Sequence, residues 1–435
     1  MAYETLKSYV LKGDICYSKS PTELCSIKNG YVVCVDGKSK GVFAELPDEY
    51  TLYPIFDYTD KLIIPGMVDI HIHAPQFSFR GTGMDLELMD WLASKTFPEE
   101  AKYYDLEYAE KAYRIFVDSL VKSATTHACI FATKHREATE KLMELMEESG
   151  LISYVGKVNM DREAPEVLCE ENPTIASRDT ALWIENTLNK YERTKPILTP
   201  RFIPCCSVEL LTKLSELQEK YDLPVQSHLS ENHKEIAFVK EVMPKAKFYG
   251  DAYDLYGLFG EQLKSNKKVK TIMAHSVYSI DEEVEKMKEN CVFVAHCPTS
   301  NTNLSSGIAP IRKYLSIGLK VGLGSDVAGG HTESMFQTLC SAVQVSKLYW
   351  CLKDNSKPNL SFKEAFYLAT IGGGEFFGKV GSFDLGYDFT AVILDDSLVR
   401  RPFELAIEGR LEGAVYSSLD LFGIKGKFVL DKKII

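Results

Sequence analysis

The chain has 435 residues, of which 45% are hydrophobic, and its formal net charge at pH 7 is −11. This length and apolar content are sufficient for a barrel-sized domain with a smaller one beside it. The acidic balance argues against nucleic acid and against an anionic membrane as the main partner, and it leaves open a small neutral substrate in a pocket.

The start of the chain and its cysteines indicate a cytoplasmic protein. Residues 1–20 contain no basic segment followed by a long apolar core, so no secretory signal peptide is expected. No apolar run reaches the about 18 residues of a transmembrane helix. The 11 cysteines are odd in number and scattered through apolar stretches, which is typical of reduced, buried thiols rather than of a disulfide framework.

Short β-rich segments are predicted at both ends of the chain. Residues 1–65 contain the runs GYVVCVDG and TLYPIFDY, with NG and DG as turn signals. Residues 384–435 contain FTAVILDD, GAVYSS and GKFVLDKKI, separated by polar turns. Each segment is too short to form a stable domain by itself, so we expect the two to pair into one small flanking β-domain.

Between these segments, over residues 66–383, short apolar runs alternate with helical stretches. In chain order the runs are MVDIHIHA, TTHACIFAT, LISYVGKVNM, KPILTPRF, PVQSHLSE, KTIMAHSV, CVFVAHCP and KVGLGSD. Helices are predicted over 107–123, 207–221, 280–289 and 333–351. Alternating strands and helices indicate βαβ units and a parallel sheet. About eight repeats favour an α/β fold of the (β/α)8 TIM-type barrel class, and a doubly wound open sheet is the alternative.

The first of these runs places two imidazoles on one face of an apolar strand. Because successive side chains of a strand alternate between its two faces, His71 and His73 share a face with Asp69. A buried imidazole needs partners for its ring nitrogens. The pattern therefore indicates either an ordinary polar face or a binding site.

Further imidazoles and carboxylates follow other predicted strands. His228 ends the fifth run with Glu231 just beyond it, His275 ends the sixth, and Asp326 ends the eighth. Catalytic groups of such barrels gather at the carboxyl ends of the strands. Each histidine alone is more simply explained as a core residue, but four of the nine histidines at strand ends favour an open metal site. The predicted ligands are His71, His73, His228 and Asp326, with His275 close by.

These motifs resemble the amidohydrolase superfamily over nearly the whole chain. The resemblance is carried by PGMVDIHIHA, SHLSE, MAHSV and GLGSD. The longer stretches HAPQFSFRGTGMDLELMDWLASKTFPEEA, TPRFIPCCS, QSHLSEN, HCPTSN and GSDVAGG are similar to members of that superfamily that hydrolytically deaminate guanine. The resemblance implies a metal-dependent hydrolase on a distorted barrel, a purine base as substrate, and a homodimer.

The resemblance also implies one metal ion rather than two. Binuclear members carry a bridging lysine at the end of the fourth strand, where this chain has Arg201 and Phe202, and Lys195 lies at the other end of that strand. Zinc is the expected ion, and mixed nitrogen and oxygen ligands would also accept Fe²⁺.

The expected reaction is attack of an activated water on carbon 2 of guanine, which yields xanthine and ammonia. A metal ion lowers the pKa of its bound water from about 15.7 toward neutrality. Asp326 is expected to accept or orient the water proton, Glu231 to carry a proton to ring nitrogen 3, and His275 to stabilise the tetrahedral intermediate. The alternative for Glu231 is a solvated carboxylate in the first turn of a helix.

Substrate contacts follow from the resemblance and from the chemistry of the purine. Gln76 offers an amide donor and acceptor, and the donors of Arg201 match the 6-oxo group that distinguishes guanine from adenine. Phe79 and Phe202 are expected to stack on the ring or to wall the pocket, although core packing explains Phe79 equally well. The other predicted substrate contacts are Ser78, His228 and Glu231.

Two other functions are compatible with these residues. One is another deaminase of the superfamily, acting on a cytosine, adenosine-type or triazine substrate, and Gln76 with Arg201 argues against it. The other is an inactive scaffold on the same fold, and the complete set of metal-binding and proton-transfer residues argues against it. His331 is a candidate for the entrance of the site, and the basic run KSNKK at 264–268 is expected to be a solvated turn.

Overall fold

The computed structural model describes residues 4–260 and 268–435. Most of the basic run KSNKK therefore lies outside the described residues. Among the helices of these two ranges, none combines the length and the apolar character that crossing a membrane requires.

Strands at the two ends of the chain flank a long region in which strands and helices alternate. The strands are β1 Glu4–Thr5, β2 Ser8–Ser20, β3 Glu23–Val35, β4 Lys38–Phe43, β5 Ile55–Pro65, β6 Met67–His73, β7 Thr125–Phe131, β8 Ile152–Gly156, β9 Val158–Asn159, β10 Thr194–Pro196, β11 Thr199–Pro200, β12 Val225–Leu229, β13 Thr271–His275, β14 Phe293–His296, β15 Lys320–Leu323, β16 Thr390–Leu394, β17 Ile424–Val429 and β18 Lys432–Lys433.

The α-helices are α1 Leu88–Trp91, α2 Phe97–Glu100, α3 Leu106–Lys122, α4 Arg136–Ser149, α5 Pro173–Thr187, α6 Val208–Tyr221, α7 His233–Val242, α8 Asp251–Asp254, α9 Asp281–Glu289, α10 Pro298–Asn303, α11 Ile311–Ser316, α12 Met335–Leu352, α13 Phe362–Tyr367, α14 Gly373–Phe377 and α15 Ile407–Tyr416. Short 3₁₀ turns lie at Asp48–Tyr50, Ala74–Phe79, Ala101–Tyr104, Ile203–Cys205, Asp396–Leu398 and Leu419–Leu421, and π-helical turns lie at Leu92–Thr96 and Leu368–Gly372.

Strands from both ends of the chain share one eight-stranded sheet, in the order β1-β18-β17-β16-β5-β2-β3-β4. The two terminal segments meet where β5 pairs antiparallel with β16, with Leu62 opposite Leu394. Aromatic side chains pack over this sheet, and the rings of Tyr9 and Phe428 stack with their centroids 5.2 Å apart. The β-rich ends of the chain thus bury a common apolar cluster.

The strand predicted at GAVYSS is wrong, because residues 407–416 form α15. Leu411, Ala414 and Val415 are buried on one side of this helix. Their spacing of three and four residues is that of a helical stripe, and a run of six residues was too short to distinguish it from a strand.

The central region contains two four-stranded parallel sheets, in the orders β10-β8-β7-β6 and β12-β13-β14-β15. On one side, β11 pairs with β9 in parallel and a single bridge joins Leu198 to Val225. On the other side, the amide of Asp326 donates to the carbonyl of His71 at 2.8 Å. The amide of His73 donates to the carbonyl of Val327 at 3.0 Å. Backbone contacts therefore connect the two sheets on both sides.

The four helices predicted in this region are confirmed to within two residues at each end, as α3, α6, α9 and α12. Side chains cap three of them, and in α12 the Ser334 hydroxyl accepts a hydrogen bond from the amide of Gln337. The Asp105 carboxylate accepts hydrogen bonds from two amides in the first turn of α3, and the Ser207 hydroxyl accepts one from the amide of Leu210 in α6. These caps fix where each helix begins, and so where the preceding loop passes the strand ends.

Candidate active site

Four histidines and one aspartate meet at the carboxyl ends of the parallel strands. His71 and His73 lie in β6, His228 in β12 and His275 in β13, and Asp326 follows β15. All of them are buried except His228, which is partly exposed. The structure therefore brings together the five residues that the strand ends singled out.

The donor atoms of this cluster approach one another closely. Nε2 of His71 and Nε2 of His73 lie 3.2 and 3.4 Å from Oδ1 of Asp326. Nε2 of His228 lies 3.3 Å from Nε2 of His73. One ligand atom each of His71, His228 and His275 fall within 4.8 Å of one another. These three imidazoles are close enough together to hold a single cation, and His73 and Asp326 adjoin them.

Hydrogen bonds behind the cluster fix its rings and its backbone. Nδ1 of His228 lies 2.6 Å from the carbonyl of Arg201, and Nδ1 of His275 lies 2.8 Å from Oδ1 of Asn301. Partners on one ring nitrogen orient the other nitrogen toward the site. Beneath the rings, Asp69 accepts hydrogen bonds from the amides of His71 at 3.2 Å and Ser325 at 3.0 Å. Asp69 thereby ties β6 to the segment that carries Asp326.

The donor set fits a divalent cation. Among the described residues, Nε2 of His71 is buried and makes no well-directed hydrogen bond, although it lies 3.2 Å from Oδ1 of Asp326. Buried polar atoms are usually partnered, so this nitrogen indicates a ligand. Three imidazoles and one carboxylate suit Zn²⁺, and the same mixed ligation suits Fe²⁺.

Burial and mutual proximity shift the pKa values of the cluster. Burial lowers the pKa of His73 and His228, and neighbouring imidazoles lower both further. Burial alone would raise the pKa of Asp326, but His71, His275 and His73 hold it well below its ordinary value. Burial alone would lower the pKa of His275, but Glu231 and Asp326 hold it above its ordinary value.

A cavity opens beside the cluster, with about 450 Å³ of empty space including its opening to solvent. Its lining includes the predicted residues His73, Gln76, Arg201, Phe202, His228, Glu231, His275 and Asp326. Sequence reasoning missed the remaining lining residues, which are Leu88, Trp91, Leu92, Glu235, Leu304 and Gly329. Three of these come from the helical turns that follow β6.

Gln76 and Arg201 form the polar wall of the cavity, and both donate hydrogen bonds to the buried carboxylate of Glu100. Nε2 of Gln76 donates to Oε1 of Glu100 at 3.0 Å, and Nη1 of Arg201 donates to Oε2 of Glu100 at 2.6 Å. Oε1 of Gln76 accepts from the amide of Ala328 at 3.2 Å. Glu100 was not predicted, and its only signal in the sequence is its place in the long motif that ends in FPEEA.

Glu231 lies between β12 and α7 and is buried, so it is not the solvated carboxylate considered as the alternative. The Ser306 hydroxyl donates to its Oε1 at 2.9 Å, and its Oε2 lies 3.5 Å from Nε2 of His275. Its amide donates to Oε2 of Glu235 at 3.2 Å. Burial raises the pKa of Glu231, and burial together with the charge of Glu231 raises the pKa of Glu235 to about 7.

Ser78 and Phe79 are not among the residues that line the cavity, and their substrate contacts stay predictions. Both lie in the 3₁₀ turn Ala74–Phe79, where the spacing of three residues per turn keeps Ser78 off the side of Gln76. Ser78 is exposed. The ring of Phe79 packs on Trp91 with centroids 5.5 Å apart, and Trp91 forms that wall of the cavity instead. His331 is exposed and lies outside the lining, 3.1 Å from Nδ2 of Asn303.

Comparison with known proteins relates the chain to a family of enzymes. A family model described as the amidohydrolase family matches residues 62–435. The guanine deaminase of Dictyostelium discoideum is 39% identical over 354 residues, which cover 80% of this chain and 76% of that protein.

Solved structures agree with this relationship. The guanine deaminase of C. acetobutylicum with guanine bound in its active site is 44% identical, with a TM-score of 0.94, and the match covers 98% of this chain and 100% of that one. The E. coli guanine deaminase is 30% identical, with a TM-score of 0.85, and the match covers 98% of this chain and 99% of that one.

Proposed function

The chain belongs to the amidohydrolase family, and we propose that it hydrolytically deaminates guanine to xanthine and ammonia in purine metabolism. One observation carries this proposal. A single cavity joins the cluster of imidazoles and Asp326 to the polar wall of Gln76 and Arg201, in a chain 44% identical to a guanine deaminase with guanine in its active site.

We propose that residues 66–383 form a distorted (β/α)8 barrel and that residues 1–65 and 384–435 form the small β-domain. The parallel pairings of β6 to β15 support the barrel, and so do the backbone contacts that connect the two parallel sheets on both sides. The sheet shared by the terminal segments supports the β-domain.

We propose one Zn²⁺ ion, or alternatively Fe²⁺, held by His71, His73, His228 and Asp326. Such a cation supplies Lewis acidity, which lowers the pKa of a water in its open position toward neutrality. The fourth strand supports a single ion, because its carboxyl end leads into Arg201, which pairs with Glu100. Lys195 lies in β10 and donates to the carbonyl of Tyr191.

The polar wall supports recognition of a 6-oxopurine. Arg201 carries only donors, and one of them is engaged by Glu100, so others remain for the 6-oxo group of guanine. Adenine would instead place its 6-amino group, itself a donor, against the donors of Arg201. Those buried donors would then lack an acceptor, so the site discriminates strongly against adenine. Phe202 and Trp91 supply apolar walls for the ring.

Three side chains are placed to handle protons. Oδ2 of Asp326 and Oε2 of Glu231 both face Nε2 of His275, at 3.8 and 3.5 Å. Asp326 accepts a proton from the attacking water, and Glu231 delivers one to ring nitrogen 3 as the water oxygen bonds to carbon 2. His275 donates a hydrogen bond to that oxygen. The bond from carbon 2 to the amino nitrogen then breaks, and ammonia leaves with the proton that Asp326 accepted. The proton of the new hydroxyl on carbon 2 returns to Glu231 as the 2-oxo group forms.

The direct test is ultraviolet monitoring of guanine in the presence of the purified protein, with and without a chelator. We expect conversion to xanthine with one ammonia per guanine, loss of conversion with the chelator, and recovery on adding Zn²⁺. A panel of adenine, cytosine and triazines tests the alternative deaminases. Protein that retains its metal and leaves guanine unchanged would refute the proposal, and protein that binds no metal would favour the scaffold.

Replacing Arg201 with methionine is expected to raise the KM for guanine by about 10- to 100-fold, because a charge-assisted hydrogen bond contributes about 1.5–3 kcal/mol. The metal content should not change, because Arg201 contributes only a backbone carbonyl to His228. The measurements are steady-state kinetics and metal analysis.

Arg193→Met is the matched control, since Arg193 is also buried and pairs with Asp431 outside the cavity. We expect its KM to stay close to that of the unmodified protein. Loss of metal from Arg201→Met in proportion to its loss of activity would contradict the assigned role in recognition.

We also propose a cytoplasmic homodimer. The 11 cysteines all lie within the described residues and form no disulfide bond there, which supports a reducing compartment. Light scattering of the purified protein tests the oligomeric state.

A further inference from the structure

Glu100 connects the two side chains proposed to recognise the base. It ends α2 and has 0% exposed surface. Its two oxygens accept hydrogen bonds from different partners, one from Gln76 at 3.0 Å and the other from Arg201 at 2.6 Å. A buried carboxylate that is fully engaged in this way constrains both partners at once.

The carboxylate determines which way the Gln76 amide faces. On one side the amide meets Glu100, which only accepts hydrogen bonds, and on the other it meets the N–H of Ala328, which only donates. The observed orientation satisfies both neighbours. In the flipped orientation the amide oxygen would face the Glu100 carboxylate and the amide N–H would face the N–H of Ala328. Facing acceptors and facing donors in a buried site are costly.

The same carboxylate holds the Arg201 guanidinium in place. Its positive charge is paired with Glu100, and the guanidinium carbon lies 5.3 Å from the ring centroid of Phe97. The pair is almost completely buried, with side-chain exposures of 4% and 1%. Without Glu100 the guanidinium would be an uncompensated buried charge, free to turn away from the cavity.

We propose that Glu100 is a positioning residue that makes the site selective for 6-oxopurines. It fixes the donors of Arg201 and the amide orientation of Gln76 before the base binds. This inference rests on the proposed function, because it assumes that Gln76 and Arg201 contact the edge of a bound purine.

The test is calorimetric titration with hypoxanthine and with purine. Hypoxanthine carries the 6-oxo group and purine lacks it, and neither carries the 2-amino group that is hydrolysed. In Glu100→Gln, the new amide can accept from only one of its two partners. We expect the affinity for hypoxanthine to fall about 10- to 100-fold and the affinity for purine to stay nearly unchanged. The KM for guanine should rise by a larger factor than kcat falls.

Glu99→Gln is the matched control. Glu99 precedes Glu100 in the same helix and is also buried, but its carboxylate accepts hydrogen bonds from Lys102 and Tyr108. The same chemical change one residue away should leave both affinities as they are in the unmodified protein.

Glu100→Asp keeps the charge opposite Arg201 and so tests the inference if Glu100→Gln does not fold. Its shorter side chain cannot reach both partners, and we expect hypoxanthine binding to weaken while purine binding is maintained. Equal loss of both affinities, or unchanged hypoxanthine binding, would overturn the inference. These titrations need no turnover, so failure to deaminate guanine is detected separately and counts against the proposed function instead.

Discussion

Replacing Asp326 with asparagine is expected to lower the turnover of guanine by about a thousandfold or more, because metal-assisted stabilisation is worth several kcal/mol and each 1.36 kcal/mol is tenfold in rate. Oδ1 of Asp326 lies within 3.4 Å of Nε2 of both His71 and His73. The asparagine removes the negative charge at this point and the acceptor for the water proton. Steady-state kinetics measures the loss of turnover, and metal analysis of the same preparation measures the loss of bound metal.

Asp420→Asn provides a comparison outside the cavity. Asp420 is also buried, and it accepts hydrogen bonds from the Ser334 hydroxyl and the Phe336 amide. This variant controls for the loss of a buried carboxylate as such, and it should keep its metal and its turnover. Asp326→Asn with full metal content and low turnover would restrict Asp326 to proton transfer. Full metal content with normal turnover would remove it from both roles.

The cluster of donor atoms was predictable because it depends on topology rather than on detailed packing. The alternation of strand side chains places His71 and His73 on one face, and parallel strands bring their carboxyl ends to one side of the sheet. His275 and Asp326 could therefore be placed next to them although hundreds of residues separate them in the chain. The pairing of the terminal β segments was inferred from the small size of each segment, and β5 and β16 do pair.

The remaining wall of the cavity was not predictable, because it comes from a segment without regular periodicity. Residues 88–104 consist of short α, π and 3₁₀ turns, and irregular bends precede them. Trp91 and Glu100 both come from this segment, and its contacts with the turn after β6 and with Arg201 bring them to the site. The cavity lining does not include Ser78 or Phe79, which lie in the 3₁₀ turn after His73.

The two carboxylates nearest His275 have different expected roles because their surroundings differ. Asp326 is surrounded by imidazoles and stays ionised, with its pKa well below its ordinary value. Glu231 is buried with one hydroxyl donor from Ser306, and its pKa is raised. Two carboxyl groups whose pKa values are moved apart suit the roles of proton acceptor and proton donor. The expected division of labour therefore follows from burial and from neighbouring charge.

Replacing Glu231 with glutamine is expected to lower kcat by about 100- to 10,000-fold, the usual range for loss of a general acid or base. Glutamine has nearly the same shape and can still accept the hydrogen bond from Ser306, but it cannot transfer a proton to ring nitrogen 3. Because Glu231 is not among the proposed metal ligands, the metal content should be unchanged. The measurements are kcat for guanine, metal analysis and calorimetric binding of hypoxanthine.

Glu283→Gln is the matched control, since Glu283 is also buried and contacts the same loop. It accepts hydrogen bonds from the hydroxyl of Ser230 and the amide of Gly250, and it does not line the cavity. Burial raises the pKa of Glu283 as it raises the pKa of Glu231. Both positions therefore favour an uncharged side chain, and a glutamine amide should be tolerated at either one. We expect kcat to stay near that of the unmodified protein in Glu283→Gln and to fall only in Glu231→Gln. Normal turnover of metal-loaded Glu231→Gln would show that the proton reaches ring nitrogen 3 by another route.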